Sequence, residues 1–203
     1  MTLQEFNRLL EQKRSELDDL MRRKLPVKVG NIAKAHYQDN IRERQGFLNN
    51  GVKQWDKTKR QQSGSTSAAA NYGALQSSRN HLYSSIKYTP SDYRVRVANE
   101  LKYAPIHNWG GNTSPTVTPK MKKFAWAMYY KETGIKKTDS KDVKKGKSEN
   151  ASENANKWKA LALTPKTKLN IKIPQRQFIG ESKELNDEIR QTMDNEIRNI
   201  LNN

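Results

Sequence analysis

Cysteine is absent from the 203 residues, which excludes a disulfide scaffold, thiol catalysis and cysteine-based zinc or iron–sulfur sites. No apolar run approaches the roughly 20 residues that span a bilayer. The chain opens on the polar stretch Thr2-Leu3-Gln4-Glu5 where a signal peptide would be apolar. The expectation is a soluble protein made in the cytosol, with no membrane partner. Hydrophobic residues make up only 33%, so the apolar inventory supports one modest core and leaves some segments too polar to pack.

The residues that carry common chemistries are also sparse. Only three histidines occur, His36, His81 and His107, far apart and none in a helical pair with a carboxylate, so no metal cage is expected. No Walker A loop, Rossmann glycine fingerprint or Gly-x-Ser-x-Gly elbow is present. Gly51 and Gly110-Gly111 read as ordinary turns. Asp92, Glu100 and Lys102 loosely follow a metal-nuclease pattern, but the simpler reading is a turn aspartate and a solvated pair at a strand end. Neither a cofactor nor a catalytic residue is implied.

What the chain does have is positive charge, with 38 Lys and Arg against 21 acids and a formal net charge of +17. Residues 120–172 hold fifteen lysines, no arginine and five acids, so +10 of the +17 sits there. A basic arm of this kind suits an acidic partner surface or transient, nonspecific contact with DNA. Its centre lacks the aromatic platforms common in single-strand binders.

Periodicity then places the elements. Thr2 and Glu5 form a capping box for an N-terminal helix over residues 1–25, with Leu3, Phe6, Leu10, Leu17 and Leu20 near one face. Pro26 marks a break, followed by a second helix over Val29, Ile32, Ala33, Tyr37 and Ile41 that should stop at Gly46. Asn50-Gly51 marks a tight turn. Residues 57–71, rich in Gln, Ser, Gly, Thr and Ala, read as a mobile loop. Alternation of Leu82, Ser84, Ile86 and Tyr88, a turn at Thr89-Pro90-Ser91-Asp92, and alternation of Tyr93, Val95 and Val97 predict an antiparallel hairpin with one apolar and one basic face. Met121, Phe124, Ala125, Met128 and Tyr129 predict a short helix after Pro119. Residues 133–156 read as a disordered Lys-rich excursion, so that residues 120–156 form a helix plus insertion. Structure should resume near Trp158, with a strand over Leu169, Ile171 and Ile173 ending at Pro174. Ser182 caps a C-terminal helix over residues 182–202 whose stripe of Leu185, Ile189, Met193, Ile197 and Ile200 should cover the sheet. The predicted fold class is α+β: a small, mainly antiparallel sheet packed against N-terminal and C-terminal helices, a single domain with a Lys-rich insertion.

Two stretches are more specific than composition. One is Tyr103-Ala104-Pro105-Ile106-His107-Asn108-Trp109-Gly110-Gly111; the other is Ile173-Pro174-Gln175-Arg176-Gln177-Phe178-Ile179-Gly180. Together they resemble the phage virion morphogenesis, or tail completion, family, with its Tyr-Ala-x-Ile-His-x-x-Gly-Gly and later Ile-Pro-x-Arg-Pro-Phe-Leu-Gly stretches. Trp55 and Leu82 before Ser85-Ile86 look like earlier landmarks of that family. The resemblance runs from about Ile32 to the carboxyl end. Gln177 and Ile179 depart from the usual proline and leucine, and the Lys-rich excursion is longer than the family pattern suggests.

The resemblance implies a structural protein of the virion, at the neck of a tailed phage and assembled in the bacterial host cytoplasm. Such a protein would be a homo-oligomer, a six-fold tail terminator ring that caps the tail tube and joins it to the head-side connector or stopper. It implies no catalytic residues. A stopper or head-tail connector ring, or a basic nucleic-acid-binding module, are the alternatives. The motif residues Tyr103, Ala104, Ile106, His107, Gly110, Gly111, Ile173, Pro174, Arg176, Phe178 and Gly180 are expected to serve as joints of the fold. Phe124, Trp126, Met128, Tyr129 and Tyr130 are the candidate interface.

Overall fold

The computed structural model describes residues 1–62 and 68–202. The chain is α+β, as its periodicity predicts, and divides into two compact units: residues 1–111 with 174–203, and an inserted unit of residues 112–173. The insertion is therefore wider than residues 120–156.

In the first unit the capping box forms as expected. Thr2 Oγ1 accepts from the Glu5 amide at 3.2 Å and the Glu5 carboxylate accepts from the Thr2 amide at 2.7 Å, starting helix α1 (Leu3–Asp19). Pro26 does not break the helix. A π-helical turn, Leu20–Lys24, carries α1 directly into α2 (Leu25–Arg42). The widened turn accommodates a proline, which has no N–H to donate to the carbonyl four residues back. That carbonyl, on Arg22, instead accepts from the Tyr93 amide at 3.2 Å. Helix α2 stops at Arg42, before Gly46, and Gln45 turns the chain at positive φ.

Strands β1 (Gly46–Leu48) and β2 (Val52–Gln54) pair antiparallel around the expected Asn50-Gly51 turn, both of whose residues have positive φ (53° and 97°). Of the predicted mobile loop over residues 57–71, residues 63–67 lie outside the described residues. On either side Arg60 donates to the carbonyls of Gly73 and Gln76, each at 2.7 Å, and Ala68–Asn71 form the helical turn α3. The predicted strand over Leu82 and Ser84 is a further helical turn, α4 (His81–Ser84), because Asn80 at positive φ redirects the backbone there. The hairpin is real but displaced. Strands β3 (Ile86–Ser91) and β4 (Arg94–Asn99) pair from Ile86↔Asn99 to Ser91↔Arg94. Thr89-Pro90-Ser91 thus belong to a strand, and the turn is Asp92-Tyr93 with Tyr93 at φ 59°. Helix α5 (Ala104–Trp109) follows.

The inserted unit corrects the disorder expected for residues 133–156. After β5 (Gly111–Thr113), helix α6 (Pro119–Thr133) is followed by α7 (Lys141–Glu149), α8 (Glu153–Leu163) and β6 (Ile171–Ile173), which pairs with β5. Each helix has its own cap: Thr118, Ser140 and Ser152 accept from the amides of Met121, Val143 and Ala155. Ala125, Tyr129, Ala155 and Ala162 are buried, small residues that let the backbones of α6 and α8 pack closely. Trp158 lies on α8, edge-on to Phe124 at 5.8 Å.

Ser182 caps α9 (Lys183–Asn202) by accepting from the Leu185 amide at 3.2 Å. This helix packs along α1 and α2 instead of covering a sheet; Lys28 pairs with Glu196, and Lys13 Nζ donates to the Ile200 carbonyl at 2.7 Å. In place of one sheet there are three two-stranded pairs. The hydrophobic core of the first unit is Ile41, Leu82, Ile86, Ala104 and Phe178, with Tyr37, Trp55 and Val97 against it.

Candidate functional site

The two specific stretches lie more than sixty residues apart in sequence, and they meet. The Arg176 amide donates to the His107 carbonyl at 2.7 Å. Asn108, 4% exposed, sits at the centre: its Oδ1 accepts from the amides of Phe178 (2.9 Å) and Ile179 (3.0 Å), and its Nδ2 donates to the Ile179 carbonyl at 3.0 Å. One amide side chain thus satisfies three backbone groups that no strand pairs. From the other side, Asn40 Nδ2 donates to the Phe178 carbonyl at 3.2 Å and Tyr37 Oη to the Gly180 carbonyl at 2.9 Å. The segment carrying Phe178 is held between α2 and α5, with its ring buried in the core.

The remaining motif residues fit this joint. Ala104 is buried at the start of α5. Gly110 ends α5 at φ 71°, and a Cβ there would meet the Gln175 backbone nitrogen at 2.9 Å; only glycine permits both the torsion and the approach. Gly111 has φ 140°. Gly180 lies where a Cβ would collide with the Gln177 side chain. Tyr103 stacks edge-on to His107 at 6.0 Å. Arg176 donates to the Asp56 carbonyl at 3.3 Å, tying the joint to the segment after Trp55. Ile106 is half-buried on α5. Ile173 and Pro174 fall at the end of β6 and just after it, where Pro174 stops the strand.

Asn108 and Asn40 carry the joint, yet neither stood out in the sequence. Asn108 occupies a variable place in the resembling motif, and Asn40 lies in an amphipathic pattern where asparagine reads as surface. Only an asparagine at the helical spacing of buried positions on α2 hinted at burial.

Beside the joint, Lys59, Arg60, His81, Tyr103, His107 and Arg176 contribute to a cleft of about 480 Å³. Its lining contains no carboxylate. Burial, aided by the neighbouring Arg176 charge, lowers the His107 pKa, so the ring is held neutral. No acid is placed to orient this ring as a general base. Among the described residues no group of three or more His, Asp and Glu side chains could hold a metal ion. Asp92 and Glu100 do not converge: they flank opposite ends of β4, Asp92 pairing with Arg22 at 2.7 Å and Glu100 with Arg96 at 3.6 Å.

The candidate interface residues divide. Tyr129 is buried and donates from its hydroxyl to Ser148 Oγ at 2.8 Å, so it belongs to the core of the inserted unit and is withdrawn as a contact residue. Trp126 and Met128 are half-buried. Phe124 and Tyr130 remain exposed. Trp126 stacks on Tyr130 at 5.6 Å.

Comparison with known proteins adds no relative: no family model, no curated protein and no solved structure matches this chain.

Proposed function

We propose that the chain is a structural protein of a tailed-phage neck, a tail-completion or terminator subunit that works as a ring on the tail tube and joins it to the head-side connector. The observation that carries this reading is the joint itself. The two stretches that resemble the tail-completion family are the parts that meet through Asn108, and their glycines and Phe178 serve backbone geometry and packing. Every polar group at the junction is engaged in shaping the chain, which is the economy of an assembly subunit.

The reading is tested by adding the purified protein to polymerising tail tube protein and imaging the products by electron microscopy. A terminator binds tube ends and stops their growth, giving tubes with extra density at one end. Binding to a purified head-side connector with bare tube ends would favour the stopper position. Failure to bind either would remove the proposal.

A second reading is supported by the inserted unit's excess of ten positive charges. Three of its lysines, Lys141, Lys144 and Lys145, lie on α7, a solvated basic surface suited to nonspecific phosphate contact. Replacing these three with glutamine should flatten the salt dependence of DNA binding by the full chain; an unchanged slope would discard this reading.

A further inference from the structure

Helix α1 is covered over only part of its length. Its apolar positions Leu3, Phe6, Leu10, Leu17 and Leu20 follow alternating steps of three and four residues, with Lys13 filling the remaining position. This is the heptad spacing of a helix that packs along one seam. Lys13 reaches the Ile200 carbonyl in the last turn of α9, and from there onward the seam is covered: Leu17 is half-buried and Leu20 fully buried. Before Lys13 it is bare. All of residues 1–12 are exposed, with Leu3 at 77%, Phe6 at 42% and Leu10 at 51%. The uncovered part from Leu3 to Lys13 is about 15 Å long at 1.5 Å per residue.

Charge indicates what covers it. Helices α1 and α9 each carry five acids against three bases, so the pair is net negative in a chain of net charge +17. The same unit carries a surface of the opposite character. Lys87, Arg94 and Arg96 are exposed and share one face of the β3–β4 hairpin, since directly opposed residues and every second residue point the same way. Ala98, on that face, opens onto an apolar groove of about 210 Å³ lined also by Pro105, Trp109 and Phe178. Trp109 is 69% exposed. The acidic helix with an apolar seam and the basic face with an apolar groove are complementary. The hairpin tip is pinned to α1 of its own chain by Arg22–Asp92 and Tyr93–Asp18.

We infer that the bare part of α1 docks on the basic β3–β4 face of a second copy of this chain, with Phe6 and its neighbours against the Ala98–Trp109 groove. The contact joins two different surfaces, so it repeats from copy to copy and closes into a ring where the rotation permits. It thereby deepens the ring reading and rests on it for closure, while the pairwise contact stands by itself.

The absence of cysteine makes the test direct. Full-length Asn7→Cys and Thr89→Cys proteins, each carrying one thiol, are mixed and treated with a short bismaleimide. The expected result is a mixed dimer that neither protein forms alone. Phe6→Glu, or Arg94→Glu with Arg96→Glu, should reduce its yield about tenfold or more, and Glu5→Arg with Glu11→Arg should restore it in the arginine-reversed background. Circular dichroism checks that these surface variants remain folded. Cross-linking of Asn7→Cys to itself would show that α1 pairs with α1 and would overturn the proposal, as would the absence of any mixed product. A mixed dimer from a protein that ignores tail tubes would uphold the contact and remove the neck function; tube capping without the mixed dimer would do the reverse.

Discussion

The two units of this chain are stabilised in different ways. The first buries Ile41, Leu82, Ile86 and Phe178 and closes around amide side chains that hydrogen-bond the backbone of distant segments. The inserted unit buries alanines and one tyrosine, and its helices are started by serine and threonine caps and stitched by polar contacts. Glu132 there accepts from Asn154 at 2.6 Å and from the Trp158 indole at 3.0 Å, and Lys147 pairs with Asp139 at 2.7 Å. Apolar burial contributes about 25 cal/mol per Å², so a core of Leu, Ile and Phe outweighs one built on alanine. The first unit is the scaffold. The second holds its shape by local bonds that are individually weak.

The comparison is broken most severely at Phe178. Phe178→Ala should destabilise the first unit by about 3–5 kcal/mol, read as a drop in denaturant midpoint with little change in slope. A loss below 1 kcal/mol would mean that this ring is not central to the core. Asn108→Leu should cost about 2–4 kcal/mol, because three buried backbone groups lose their partner. Native-state hydrogen exchange would find the amides of Phe178 and Ile179 deprotected. Tyr129→Phe removes only the hydroxyl bond to Ser148 and should cost about 1 kcal/mol. Its effect on exchange should be confined to residues 112–173; a change spreading through the first unit would contradict the division.

The smallest effect is set by pH. His36 is buried and has a lowered pKa because burial disfavours its charged form; the nearby Arg44 adds to this. His107 is lowered by burial and by Arg176. The unfolded chain therefore binds more protons as pH falls below about 6.5. The stability from keeping both rings neutral is present above that pH and declines below it. His36→Gln and His107→Gln together should flatten the stability profile between pH 7 and 5, and both residues belong to the scaffold.

Legibility in the sequence follows the same division. Where structure rests on apolar spacing or cap chemistry it could be read directly: the Thr2–Glu5 box, Ser182 before α9, the helix after Pro119 and the strand at Ile171–Ile173. Where tertiary partners decide, it could not. Pro26 looked like a break because the Tyr93 amide that accepts its displaced carbonyl bond comes from a hairpin far along the chain. The hairpin was found two to three residues early because Asp92-Tyr93, with a tyrosine at positive φ, is an unusual turn held by Arg22 and Asp18. The insertion looked disordered because alanine cores leave no strong apolar stripe, although Ser140 and Ser152 stood at the cap positions. The motif stretches were recognisable as a pair, but Asn108, which joins them, emerged only from the geometry.

The most direct test of the account is the mass of the unmodified full-length protein in solution, measured by analytical ultracentrifugation across a concentration series. The account predicts a discrete closed assembly, six times the 23.4 kDa chain mass for the six-fold ring, that grows from smaller species as concentration rises. A single 23.4 kDa species at every concentration would contradict it.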